Sequence, residues 1–283
     1  MKETPPARTD SLAPEILEFY GLGKEEQRLD ASLGRLERLR TLEVVGRHLP
    51  PAPCRVLDVG GGTGVYALPL AARGHRVHLV DPVPLHVERA RALSQASATP
   101  LVGADLGDAR SLQVPEAAYD GVLLFGPLYH LIDRRDRIQA LAEARRALVP
   151  GGILLSAYIS RFASACDGIQ EGALRDATFA AIVESDLIDG IHRNPTSRTG
   201  WFTTAYFHRP EEIQAEIDEA GLRFDHLVGI EGPGWVAPDL DEWLDDLVQR
   251  ERLLNVLRRL EREPSLIGAS AHILAISRRP DES

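Results

Sequence analysis

The chain has 283 residues, 44% of them hydrophobic, and a formal net charge of −10. That length suits one large domain or two small ones, and so acidic a balance repels a phosphate backbone, which argues against nucleic acid as a partner. Only two cysteines occur, Cys54 and Cys166, too few for a disulfide framework; with no leader-like apolar region after Met1 and no long uncharged apolar stretch, the expectation is a cytoplasmic protein without a membrane span.

Residues 1–13 are polar and proline-containing and predict no fixed structure. From residue 15 to 49 the pattern is helical, with a break near Gly21–Gly23. Leu33, Leu36, Leu39, Leu42 and Val45 recur at helical spacing, and Pro50, Pro51 and Pro53 end the run. Strand and helix then alternate: strands at 54–59, 75–80, 99–102, 119–125 and 153–159, with helices at 64–73, 85–97 and 136–148. That rhythm predicts an α/β fold, doubly wound about a mostly parallel sheet. It breaks after Arg161. Residues 161–200 form a long excursion whose length suits a lid. A helix at 210–220 and a strand at 222–230 resume the pattern. Gly232-Pro233-Gly234 then opens a helical insertion at 240–262, with Leu240, Trp243, Leu244, Leu247, Leu254, Leu257 and Leu260 on one face. A last strand falls at 271–277. The predicted organisation is a helical cover at 1–48, a core at 49–160 and 203–283, a lid insertion at 161–202 and a helical insertion at 235–265.

The chemistry begins at residues 56–64, Val-Leu-Asp-Val-Gly-Gly-Gly-Thr-Gly. An apolar strand ends in an acid and then four glycines within five residues, where a plain strand–helix turn needs one. Gly60, Gly62 and Gly64 would let a ligand lie against bare backbone at a helix start. Asp81 ends the next strand, where an acid accepts two hydrogen bonds from a ribose diol; it is also a good helix cap before Pro82. Asp105 follows the third strand, where an acid could accept from an adenine amine while Leu106 flanks the ring; as a bare turn residue it needs no ligand.

These segments, followed by Tyr-Asp-Gly-Val-Leu-Leu-Phe-Gly-Pro-Leu-Tyr-His at 119–130, resemble the ordered motifs of class I S-adenosylmethionine-dependent methyltransferases of the bacterial small-molecule type, well over 54–160 and more loosely over 203–283. The resemblance implies a seven-stranded Rossmann-like sheet and S-adenosyl-L-methionine as cofactor. Gly60, Gly61, Gly62 and Gly64 would border its methionine part. Asp81, with Pro82 beside it, would take the ribose, and Asp105 and Leu106 the adenine. Backbone near Phe125 and Gly126 would meet the amino group, and Asp58 would support the turn.

Methyl transfer needs position, dryness and, for oxygen or nitrogen acceptors, often a base. His130, just past the fourth strand, and His208, in an aromatic stretch, are the candidate catalytic residues; His192 stands behind them. Tyr20, Tyr129, Trp201 and Tyr206 are candidate substrate-lining residues. Arg35, Arg38 and Arg40 either reach the cofactor carboxylate or belong to a solvated helix face. No cluster of metal ligands can be assembled, so no metal is expected. Gly126-Pro127-Leu128-Tyr129 stands where base- and protein-amide-methylating members carry Asn-Pro-Pro-Tyr, which favours a small metabolite. Two alternatives stay open: an NAD(P)-dependent oxidoreductase, since Gly62 to Ala67 fits G-x-G-x-x-A, and an adenosyl-cofactor-binding protein that does not methylate. The oligomeric state stays open, a homodimer included.

Overall fold

The computed structural model describes residues 14–21, 28–30, 32–196, 198 and 200–281; the expectation for residues 1–13, and Gly23 of the expected helix break, lie outside them. The strands are β1 (Arg55–Val59), β2 (Arg76–Asp81), β3 (Gly103–Leu106), β4 (Tyr119–Leu124), β5 (Leu148–Ser160), β6 (Ile191–His192), β7 (Ala205–His208), β8 (Arg223–Gly229) and β9 (His272–Arg278). Strands β3-β2-β1-β4-β5 lie side by side with every pair parallel. Antiparallel β9 separates β5 from β8. These seven make the mostly parallel sheet. The short β7 adds to it, pairing parallel with Ile159 and Ser160 beyond the point where β4 stops, and β6 pairs antiparallel with β7.

Alternation along the strands sends successive side chains to opposite faces. Leu57, Val59, Val122 and Leu124 pack on Leu141, Ala144, Ile213 and Ile217 from helices on one face. Val56, Val77, Leu79 and Leu123 pack on Val44, Val45, Leu70 and Ala90 from helices on the other. In chain order the helices are α1 (Pro14–Gly21), α2 (Ser32–His48), α3 (Ala67–Ala72), α4 (Pro84–Ala96), α5 (Pro127–His130), α6 (Arg134–Ala147), α7 (Ala163–Gln170), α8 (Ala177–Asp189), α9 (Pro210–Glu219), α10 (Leu240–Asp245), α11 (Leu247–Leu260) and α12 (Pro264–Ile267). The other end of α2 packs Leu36 against Leu240, Leu244, Leu254 and Leu257 of α10 and α11.

Three elements differ from the sequence reading. The third strand runs over Gly103–Leu106 rather than 99–102, because β2 pairs with it in register from His78↔Gly103 to Asp81↔Leu106. The helix expected at 240–262 is two helices, because Asp246 leaves the helical region and its side chain caps α11, accepting from the Val248 and Gln249 amides. The fifth strand starts at Leu148, through the Pro150-Gly151-Gly152 stretch expected to separate it from α6.

Behind the sheet, Arg137 and Glu216 form a buried ion pair. Arg137 Nη2 donates to Glu216 Oε1 at 2.7 Å and its Nη1 donates to the carbonyls of Leu131 and Ile132. Burial works to raise the Glu216 carboxyl, but His208 and Arg137 outweigh it and hold it at about 2. Its folded value is depressed, so this stabilisation is present above the ordinary carboxyl range and fades as pH falls toward about 2. Removing one partner strands the other charge, so Arg137→Ala is expected to destabilise the fold by about 3–5 kcal/mol in urea denaturation at neutral pH; a loss under about 1 kcal/mol would show the pair to be dispensable.

Candidate active site

The carboxyl ends of β1, β2 and β4 meet at one cleft, and glycine makes the meeting possible. Gly60 has φ +76°, and a Cβ there would stand 2.5 Å from the Phe125 carbonyl oxygen and 2.6 Å from the Pro127 ring. Only glycine lets the β1 turn pass so close beneath the end of β4. Gly62 has φ +56° with nothing within 4 Å of where a Cβ would be, so the bend presents bare backbone to the cleft.

Asp81, almost fully buried, holds that bend. Its Oδ2 accepts from the Gly62 amide at 2.9 Å; its Oδ1 accepts from the Val83 amide at 2.9 Å and lies 3.1 Å from His86 Nδ1. A carboxylate offers about four acceptor positions, which leaves capacity for a ligand hydroxyl. Asp58 lies fully buried beneath the bend and does not line the cleft. Complete burial, then the charge of Asp81, push its carboxyl up to about 7, against the Ala67 amide.

Gly60, Gly61, Gly62, Asp81, Pro82, Phe125 and Gly126 all line this cleft, together with Ile16, Tyr20, Arg28, Gly107, Asp108, Ala109, Tyr129 and His130. Gly64 does not; its Cβ position abuts Leu68. Asp105 and Leu106 correct the sequence reading. Because β3 extends through Leu106, both sit on the exposed outer edge, where Asp105 binds His78 Nε2 at 2.8 Å and Arg91 at 3.1 Å. The β3 turn that faces the cleft is Gly107 to Ala109. There, burial works to raise the Asp108 carboxyl, but bonds from Arg110 prevail and hold it below the usual range.

A second cavity of about 460 Å³ adjoins the cleft. Phe19, Tyr20, Tyr129, Phe179, Trp201, Phe202, Phe207 and Trp235 give it aromatic walls, and Tyr20, Arg28, Tyr129 and His272 line both spaces. His192 also lines it, bonded to Asp186 at 2.8 Å. Helix α1 spans the junction. Tyr20 Oη lies 2.8 Å from His130 Nε2, and Phe19 meets Phe202 edge-on at 5.7 Å.

His130 Nδ1 lies 3.2 Å from the Thr204 carbonyl. A carbonyl only accepts, so Nδ1 carries the hydrogen and Nε2 accepts from Tyr20. Burial lowers the imidazole to about 4, against the pull of Thr204 and Asp81, so it is neutral at ordinary pH. His208 and Tyr206 line neither cavity, which corrects their placement at the site. Fully buried His208 is 3.4 Å from Glu216, and the Arg137 guanidinium lies 3.9 Å over the Tyr206 ring. Both belong to the ion-pair cluster behind the sheet. The three arginines read as either cofactor ligands or a helix face line neither cavity: Arg35 pairs with Asp245, Arg38 with Asp30, and buried Arg40 with Glu43 and Glu261. Among the described residues, Arg28 and His272, which no motif marked, bring positive charge to the cleft.

Residues 56–152 match the family described as "Methyltransferase domain". The chain is 28% identical to a ubiquinone biosynthesis O-methyltransferase of Methylocella silvestris, over 85% of this chain and 96% of that one. It is 29% identical to the S-adenosyl-L-methionine-dependent Diels-Alderase iccD of Talaromyces variabilis, over 58% of this chain and 64% of that one. A crystal structure of a methyltransferase from Methanosarcina mazei shares its fold, with a TM-score of 0.58 at 15% identity, over 84% of this chain and 98% of that one. This chain belongs to the class I S-adenosylmethionine-dependent methyltransferases. Nothing in these likenesses favours the oxidoreductase alternative. Its cofactor is S-adenosylmethionine, and the cleft of this methyltransferase fits that group: a bare-backbone bend, a buried carboxylate with acceptor capacity to spare, and an aromatic wall beside it. Among the described residues no helix is long and apolar enough to cross a membrane.

Asp58 gives this methyltransferase a pH signature. Its folded value is raised, so its contribution is whole below 3.8 and declines as pH rises to about 7, by on the order of 4 kcal/mol. Asp58→Asn is expected to flatten the urea-denaturation stability curve across that window; a variant curve parallel to wild type would sink this account.

Proposed function

We propose that this methyltransferase carries a methyl group to a nucleophilic oxygen on a small aromatic molecule held in the second cavity. One observation carries the reading: the aromatic chamber of about 460 Å³ shares Tyr20, Arg28, Tyr129 and His272 with the cofactor cleft. Cavities of a few hundred Å³ with aromatic walls suit small organic ligands. The Methylocella relative, an O-methyltransferase of ubiquinone biosynthesis, supports oxygen as the acceptor atom and a small molecule as its bearer. Two free cysteines support a cytoplasmic setting.

When bound, S-adenosylmethionine supplies an electrophilic methyl on a sulfonium, open to in-line displacement. The chain supplies the rest. In this reading the Gly60 to Gly62 backbone carries the methionine part, with Gly64 shaping the bend and Asp58 supporting it. Asp81 accepts from the ribose diol. Gly107 to Ala109 take the place expected of Asp105 and Leu106 beside the adenine, and backbone at Phe125 and Gly126 meets the amino group. Tyr20, Tyr129 and Trp201 exclude water from the acceptor, and α1, α2 and the 161–202 segment cover the site. His130 is a positioning residue: neutral and hydrogen-bonded on both nitrogens, it ties α1 to β7 through Tyr20 and Thr204.

A panel of catechols and hydroquinones incubated with S-adenosylmethionine is expected to release S-adenosylhomocysteine, and their fully methylated ethers to release none. Conversion of a polyene to a ring without such release would favour the second reading, ring closure without methylation, to which the Diels-Alderase relative points. Asp81→Ala frees the Gly62 and Val83 amides and is expected to weaken S-adenosylhomocysteine binding at least about tenfold by calorimetry; unchanged affinity would refute the assigned role of Asp81. Trp201→Ala is expected to raise the acceptor KM about tenfold while cofactor affinity stays put, and an unchanged KM would place the acceptor elsewhere.

A further inference from the structure

At the junction of the two cavities lies a charged cluster that the methyl-transfer reading leaves unused. His272, at the start of β9, lines both spaces. Its Nδ1 is 2.5 Å from Glu231 Oε1 and 3.6 Å from Glu37 Oε2. Glu231 is fully buried and also accepts from Ser270 Oγ at 2.8 Å and the His272 amide at 3.0 Å. Glu37, from α2, accepts from Arg28 at 2.7 Å. Among the described residues, the groups facing the imidazole are Glu37, Glu231 and Arg28, with Tyr66 beyond Glu37. The ligand atoms of Glu37, Glu231 and His272 lie within 4.8 Å of one another, as metal ligands would. Arg28 and a charged imidazole set two positive charges against the two carboxylates, an ion-pair network.

Burial opposes a charge on His272, but Glu37 and Glu231 overcome it and raise the imidazole to about 9. With Nδ1 turned to Glu231, the opposite ring edge is left for the cavities. We propose that His272, through Nε2–H, binds an anionic phenolate oxygen of the acceptor at the junction of the aromatic chamber and the cofactor cleft, and so selects acceptors with an acidic hydroxyl. This rests on the chamber being the acceptor site. The chemistry agrees on both sides: aromatic walls seat the ring, and a half-buried cation held by two carboxylates is a hydrogen-bond donor that does not lose its charge at neutral pH.

The probe is 4-nitrophenol, whose absorbance reports its own ionisation, compared with its neutral ether 4-nitroanisole on full-length protein saturated with S-adenosylhomocysteine. Wild type is expected to bind the nitrophenol as phenolate, at least about tenfold more tightly than the ether, the worth of one hydrogen bond between charged groups. His272→Gln is expected to erase that preference. Glu231→Gln, which keeps the shape but drops a carboxylate, is expected to keep it at neutral pH and lose it at a lower pH than wild type. Circular dichroism and a urea midpoint close to wild type in both variants certify the fold. Equal binding of both probes to wild type, or a phenolate preference surviving in a folded His272→Gln, overturns the proposal and leaves the chamber standing. Binding of neither probe overturns the proposal and the chamber reading together.

Discussion

A single carboxylate sets the geometry of the cleft. Asp81 draws the Gly62 amide of one turn and the Val83 amide of the next onto its two oxygens, and so fixes the ends of β1 and β2 against each other. Buried carboxylates need such donors, since an unpaired one would cost several kcal/mol. The tie in turn requires Gly62 at positive φ, and Gly60 beneath Phe125 and Pro127. From that contact α5 starts at Pro127 and delivers His130 to the cleft and Tyr129 to the wall shared with the second cavity. The catalytic architecture is therefore a chain of close backbone approaches with one charged anchor.

Two histidines lining the cleft are driven in opposite directions by their surroundings. His130 has aromatic neighbours and a carbonyl, and burial strips its affinity for a proton. His272 is only half-buried, and the two carboxylates facing it raise it instead. The same side chain thus serves as a neutral strut on one side and a fixed cation on the other, a division set by neighbours and not by residue type.

What the sequence showed was what is local. The glycine bend, Asp81 and the β4 end are each specified within a few residues, and they fall at one cleft. The third strand misled because Leu101-Val102 reads as apolar while Gly103-Ala104-Asp105-Leu106 reads as a turn; pairing with β2 decides the matter, and that pairing lies outside any window. Its displacement carried Asp105 to the outer edge and hid Asp108. Asp246 was a legible cap, masked by the longer leucine stripe. His208 and Tyr206 sat in a promising aromatic stretch, but β7 turns them to Glu216 and Arg137, the latter 69 positions before Tyr206 and invisible to pattern. Arg28 and His272 had no motif at all: His272 takes its character from Glu231, 41 positions earlier, and from Glu37 near the other terminus.

The pairing of α2 with α11 bears on how the protein is made. Arg40 is completely buried against Glu261, 221 positions later, and Leu36 packs on Leu254 and Leu257. A ribosome delivers Arg40 ahead of its partner by 221 residues. Until α11 emerges, this helix carries an uncovered arginine and an unpacked Leu36. The packing of α2 on α11 is accordingly a late step of folding, whatever part of the sheet has formed before it.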